Sequence, residues 1–170
     1  MDQDSEKLTP IEVEALQSRW NETDPDSGNT VRRQMIDRLK AECIKDNPKR
    51  PLSLDLRGLW LLDEDLSHLD LSGYDLSYAN LNQAELTGTV FSYANLRRAS
   101  LDQAIIDECE FIGSDLNHAS LNECSAQRCG FGGADMAHAS MINADLTEAS
   151  LSHSILAHAD LRASNLKRAR

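Results

Sequence analysis

At 170 residues the chain fits one ordinary domain with at most a small appendage, and its 28 acidic against 17 basic side chains leave a formal charge of −11. An excess of that sign argues against a protein that neutralises phosphates, so no direct nucleic-acid binding is expected. Hydrophobic residues make up 41% of the chain and aromatics only 5%, so a core has to be built from Leu and Ala, and a wide aromatic-walled pocket is not expected.

Met1 to Lys7 are polar and mostly acidic, with no basic or apolar leader pattern, and no run of about 18 apolar residues follows. The expectation is a cytoplasmic chain without a membrane span. Four cysteines in such a chain point to a reducing compartment, not to a disulfide framework. Thr9-Pro10-Ile11-Glu12 reads as a capping box with proline at the first helical position, opening a short helix to about Arg19. Asn29 or Thr30 begins a second helix after a polar, turn-rich stretch. There Val31, Met35, Leu39 and Cys43 recur every four residues, with Ile36 and Ile44 beside them, and the stripe ends before Pro48. Residues 1–51 are too few for a core of their own. They are expected to form a small N-terminal α-helical cap, docked at the end that carries Trp60 and Leu62, with a free partner-binding helical module as the alternative.

Residues 52–170 are governed by a repeat. A large apolar residue recurs every fifth position from Leu56 to Leu166 with few exceptions, Leu71, Leu76, Leu81, Leu86 and Phe91 among them. Two places before most of these centres lies a small residue such as Ala79, Ala84, Cys109, Ser114 or Cys129, and between the two sits Asp, Asn, Glu or Ser. A helix cannot use this period, because five residues advance about 500° and successive centres spiral around it. A straight strand fails too, since five is odd and successive centres would face opposite sides. The consistent solution is a short extended step, with the small residue and the centre inward, followed by two residues that round a corner. Phe91, Phe111 and Phe131 are spaced by twenty and so predict one core column, with Leu96, Leu116 and Met136 in the next.

Runs such as Ala79-Asn80-Leu81-Asn82-Gln83 and Ala144-Asp145-Leu146-Thr147-Glu148 resemble the A(D/N)LXX motif of the pentapeptide-repeat family. The resemblance covers about two thirds of the chain. It implies an all-β solenoid, a right-handed quadrilateral parallel β-helix of about 5–6 coils, with coils stacked at roughly 4.8 Å. It also implies a homodimer through the C-terminal coil, which no cap covers after Leu166, although relatives usually pair with an additional C-terminal helix that is absent here.

No catalytic constellation is present, so no enzyme and no cofactor are expected. All five histidines fall two places after a centre, and His118, His138 and His158 are spaced by twenty, which would form a ladder up one corner. They are the candidate metal ligands, but no carboxylate in their column completes a tetrahedral set, and a solvated polar corner is the simpler reading. Cys109 and Cys129 fill small inward slots one coil apart, where free cysteine behaves as a small apolar residue; a disulfide between them is geometrically conceivable. Gly130, Gly132 and Gly133 lack the strand, loop and helix context of a phosphate loop and read as bare outward positions that offer a flat contact surface.

Charge carries the remaining information. From Leu52 to Asp160 there are 17 acidic and 4 basic residues, a net −13, whereas residues 1–51 carry a net −2. Asp55, Asp75, Asn95, Asp115 and Asp135 recur at twenty, so one face would present stacked carboxylates, with Asp55, Asp75, Asp115 and Asp135 as the candidate acidic interaction face. Another corner column, His68, Gly88, Glu108, Arg128, Glu148, Arg168, alternates in sign. The expected function is a non-catalytic scaffold for an unidentified protein partner. The alternative, implied by relatives that protect or inhibit DNA gyrase, is an acidic DNA mimic that modulates gyrase or topoisomerase. A histidine-ladder metal protein ranks third.

Overall fold

The computed structural model describes residues 8–23, 30–44 and 54–170. The boundary expected between residues 51 and 52 lies outside the described residues, as do the polar stretch 24–29 and Pro48. The chain opens with α1, Pro10–Ser18, in which Thr9 and Glu12 form the reciprocal capping box. A 3₁₀ turn, Arg19–Asn21, follows, and then α2, Val31–Glu42, begins at an N-cap Thr30 whose hydroxyl accepts from the Arg33 N–H. Ile36, Leu39 and Cys43 are buried, while Ile44 at the end of the stripe is exposed. The reason is a change of backbone: α2 ends at Glu42, and Ile44 forms an antiparallel bridge with Leu69.

From Asp55 onward, outward residues pair in parallel with the residue twenty positions later, from Asp55 with Asp75 to Asp145 with Asn165. Four such bridges per twenty residues make a four-sided helix of single-residue strands. Each backbone N–H of residues 76–80 has a destination. Leu76 N–H donates to Asn95 O in the next coil at 2.8 Å, Tyr78 N–H to Arg97 O at 3.0 Å, and Asn80 N–H to Leu59 O in the previous coil at 2.9 Å. Ala79 N–H closes the corner onto Leu76 O at 3.0 Å. The remaining donor, Ser77 N–H, goes to the Asp75 carboxylate at 3.0 Å.

That last bond explains Asp or Asn where it stands before a centre: its side chain satisfies the one donor that the turn leaves over. Asp65, Asp115, Asp135 and Asp145 do the same for the N–H two residues on. Where the slot holds Ser100, Ser120, Ser125 or Ser140, the acceptor comes from the coil before. Asn82 takes the Asp102 N–H, Asp102 the Asn122 N–H, Asp107 the Gln127 N–H and Asn122 the Ile142 N–H, and each also accepts the serine hydroxyl.

The corner is a turn whose third residue has φ near +60° throughout, from Gly58 to Arg168. Left-handed backbone favours glycine, yet most of these corners carry Asp, His, Gln, Glu, Asn, Arg or Tyr, and none carries a β-branched residue. Inside, Phe91, Phe111 and Phe131 stack with ring centroids 5.0 Å apart and planes 9° and 8° from parallel. Leu96, Leu116 and Met136 are buried beside them.

The helical residues meet the first coil of the rod at several points. The Trp20 indole N–H donates to Arg57 O, Arg32 Nε to Trp60 O, and Asp70 N–H to Cys43 O at 2.6 Å, where the later coils use the coil before. Glu64 faces Arg32, Arg33 and Lys40 at 3.4, 3.9 and 3.3 Å. Tyr74, in a small-residue slot, is buried, with its hydroxyl 3.5 Å from Cys43 Sγ. The cover expected for Trp60 and Leu62 is only partial, since both remain 39% exposed. The helices bury their own Trp20, Ile36 and Leu39 into the core cluster instead.

Candidate functional site

The candidate acidic face is the column Asp55, Asp75, Asn95, Asp115, Asp135, joined by successive bridges. It is not a bare ladder of repelling carboxylates. The Asn95 amide donates to Asp75 at 3.1 Å, Arg97 lies 3.3 Å from Asp115, and Asp55 is held by Arg57 and Arg19. The Arg57 hydrogen bonds first, and those of Arg19 second, hold the Asp55 carboxyl well below the usual carboxylate range. An amide would accept the corner N–H as well as a carboxylate does, as Asn95 shows with Arg97. Asp instead of Asn at 75, 115 and 135 is therefore charge beyond what the fold requires.

The candidate metal residues His118, His138 and His158 stand one above another at left-handed corners, with ring centroids 4.7 and 4.9 Å apart and planes 7° and 16° from parallel. Two nitrogens on one Zn²⁺ lie at most about 4.2 Å apart. Stacked rings aim their lone pairs along parallel planes, so they do not converge on a shared ion. Among the described residues no group of three or more His, Cys, Asp or Glu is placed to hold a metal.

Cys43, Cys109, Cys124 and Cys129 are buried, and none is in a disulfide. The conceivable bridge between Cys109 and Cys129 is not formed, and a different role appears: Cys109 donates to Leu86 O and Cys129 to Ile106 O, as the Thr89 hydroxyl does to Leu66 O in the same column. Burial pushes the Cys124 thiol up to about 12, and burial with the Cys109 hydrogen bond raises Cys129 as well. Thiols of that kind are poor nucleophiles. The alternating corner column forms pairs, Arg128 to Glu108 at 2.7 Å and Arg168 to Glu148 at 3.0 Å. A neighbouring corner carries a ladder that the sequence reading missed, Gln83 to Gln103 to Glu123 at 2.8 and 2.9 Å. Its signal was present as polar residues at twenty-residue spacing.

A family model of pentapeptide repeats matches in 8 copies at residues 65–103, 94–131, 104–141 and 129–168, more than half of the chain. The chain belongs to the pentapeptide-repeat family. Members are right-handed quadrilateral β-helices, and four parallel bridges per twenty residues give this chain the same four-sided form. No curated protein matches the chain. Among solved structures, this pentapeptide-repeat chain is similar to a pentapeptide repeat protein of the Arabidopsis thaliana thylakoid lumen, with 25% identity, 59% of this chain and 63% of that one covered, and a TM-score of 0.33. It thus spans less than two thirds of the Arabidopsis chain. It is also similar to HetL from Nostoc sp. strain PCC 7120, involved in heterocyst differentiation regulation, with 22% identity, 80% and 92% coverage and a TM-score of 0.31. A third is QnrB1, a plasmid-mediated fluoroquinolone resistance protein, with 19% identity, 62% and 64% coverage and a TM-score of 0.34. No helix among the described residues is long and apolar enough to cross a membrane.

Proposed function

We propose that the chain is a non-catalytic, cytoplasmic interaction scaffold. Residues 52–170 form a β-helix of five to six coils that displays outward side chains to a protein partner, and residues 1–51 form a helical cap over its first coil. One observation carries this reading: inward side chains are committed to packing, and Asp, Asn and Ser groups beside the corners to hydrogen bonds with the backbone and with each other, which leaves the other outward side chains as the part free to recognise something. Affinity capture on the immobilised full chain tests it. A partner retained in preference to a control protein of equal charge is expected, and retention of nothing beyond that control would sink the reading.

A second reading is favoured by the charge in excess of what the corners need. In it the rod acts as an acidic modulator of gyrase or topoisomerase, drawn to a positive DNA-binding surface. Gyrase supercoiling with increasing protein at two salt concentrations tests this. Inhibition, or protection from a quinolone, should weaken with salt and disappear in the triple variant Asp75→Asn, Asp115→Asn, Asp135→Asn, which keeps the acceptors and removes the charge. Equal activity of the triple variant would reject the mimic.

A further inference from the structure

One edge of the rod is stripped of side chains around an exposed ring. The corner between the column Asp70, Val90, Glu110, Gly130 and the column Asp75, Asn95, Asp115, Asp135 carries Tyr93, 73% exposed, and Ile112, 44% exposed. Gly113 follows Ile112 over the Tyr93 ring, and Gly130, Gly132 and Gly133 lie in the next coil. Gly113 has an internal reason to be glycine, because a Cβ there would lie 2.8 Å from Tyr93 Cε1. It lets the Tyr93 ring lie flat along the edge.

The other three glycines lack such a reason. A Cβ at Gly130 or Gly132 would meet only a carbonyl oxygen at 3.9 Å, and both have ordinary backbone. Gly133 has φ +67°, but corners of the same kind elsewhere carry His, Arg, Glu and Gln, and a Cβ at Gly133 would meet nothing within 4 Å. Packing within the chain therefore leaves room for side chains along this edge, and the sequence supplies none. A flat floor beside an exposed tyrosine suits close approach of another backbone, with the ring as anchor.

Charge selects the occupant. The two flanking columns bring Asp70 and Glu110 on one side and Asp75, Asp115 and Asp135 on the other, of which Asp115 has Arg97 at 3.3 Å, while the edge itself, residues 72, 73, 92, 93, 112, 113, 132, 133, 152 and 153, contains no Lys or Arg. Nucleic acid is repelled by such a surface. A second copy of the rod would bring the same acidic columns, part of a net −13 over residues 52–160, against themselves. An arginine-bearing extended segment satisfies all the features at once, with a guanidinium on the Tyr93 face, further guanidiniums toward the flanking carboxylates, an apolar side chain on Ile112 and its backbone on the glycine floor. Resting on the scaffold reading, we infer that the edge formed by Tyr93, Ile112 and Gly130 to Gly133 docks an extended, arginine-bearing segment of the protein partner.

The test uses the ¹⁵N-labelled full chain and the synthetic peptide acetyl-Arg-Ile-Arg-Ile-Arg-amide, followed by amide chemical shifts and by the affinity from the titration. The amides of Gly113, Gly130, Gly132 and Gly133 should move first, and Tyr93→Ala and Gly132→Lys should each weaken binding about tenfold or more with an unchanged melting temperature. Shifts spread evenly over every acidic column, affinity unaltered by both variants, or no binding at millimolar peptide would each overturn the assignment. Failure here leaves partner capture by the intact chain untouched, so the edge and the scaffold reading are judged separately.

Discussion

Arg19 grips Asp55 across 36 positions of sequence, with Nη1 and Nη2 at 3.0 and 3.1 Å from the two carboxylate oxygens. The same guanidinium also donates to the carbonyls of Asp55 and Arg57, so it joins the turn after α1 to both the side chain and the backbone of the first coil. Its neighbour Trp20 is buried and hydrogen-bonded to Arg57 O. An exposed ion pair alone contributes about 0.2–1 kcal/mol. The two backbone acceptors raise the expected cost of Arg19→Ala to about 1–2 kcal/mol. Denaturant unfolding followed by Trp20 emission, in a Trp60→Phe background, measures it. An unchanged midpoint with an unshifted emission maximum would mean that this contact does not hold the helices to the rod.

The dependence of stability on pH follows from groups on both sides of neutrality. Asp55 and Asp160 are held below the usual carboxylate range chiefly by hydrogen bonds from Arg57 and Arg162, and Asp65 and Glu12 chiefly by the backbone N–H groups of Ser67 and Thr9. As pH falls the unfolded chain takes up protons first, so this stability is complete above about pH 5 and drains away below about pH 4. Cys124 and Cys129 are shifted upward by burial. Their contribution is complete below about pH 8.5 and is lost above it, because the unfolded thiols ionise first. Repulsion within the acidic rod acts the other way on the acid side. A urea midpoint that rises between pH 5 and pH 3 would show that repulsion outweighs the hydrogen-bonded carboxylates.

Phe111 is stacked on both faces, by Phe91 below and Phe131 above. Replacing it with Ala removes a fully buried ring from a column whose backbone spacing is fixed by the coil hydrogen bonds, so the void cannot close easily. The cost should be about 3–5 kcal/mol, against less than about 0.5 kcal/mol for Ile155→Ala on the half-exposed outer face. Chemical denaturation of both variants decides, and similar losses would contradict a core that is continuous through the three rings.

The columns of centres and small inward residues were legible because a period of five admits neither helix nor flat strand. The capping box at Thr9 and the start of the second helix at Thr30 were equally local signals. The left-handed corner was hidden, since Arg98, Tyr93 or His138 at that position does not announce a positive φ in the way Gly133 does. The role of Asp75 was also hidden. Read alone it is a surface charge, and only the turn shows that it closes the Ser77 N–H. The histidine column was legible as a spacing, but the parallel stacking that keeps the imidazoles from converging on one ion depends on ring orientation. Trp60 and Leu62 were read as surfaces to be covered, yet their partial exposure depends on where α2 ends and Cys43 and Ile44 pair with the first coil.

All four thiols should be silent toward a charged thiol reagent in the native protein and should react stoichiometrically after unfolding. Each is buried, and Cys109 and Cys129 donate to carbonyls of the core. Rapid reaction of one thiol in native buffer would reveal an opening of the coil around that residue.

The inward and corner residues make the rod, and the remaining outward residues make the function. A variant that keeps every centre, every small inward residue, every Asp or Asn acceptor and the serines that donate to them, but permutes the other outward side chains at constant net charge, separates the two. An unchanged circular dichroism spectrum, a melting temperature within a few degrees and loss of the captured partner are expected. Retention of the same partner by the permuted rod would contradict that division.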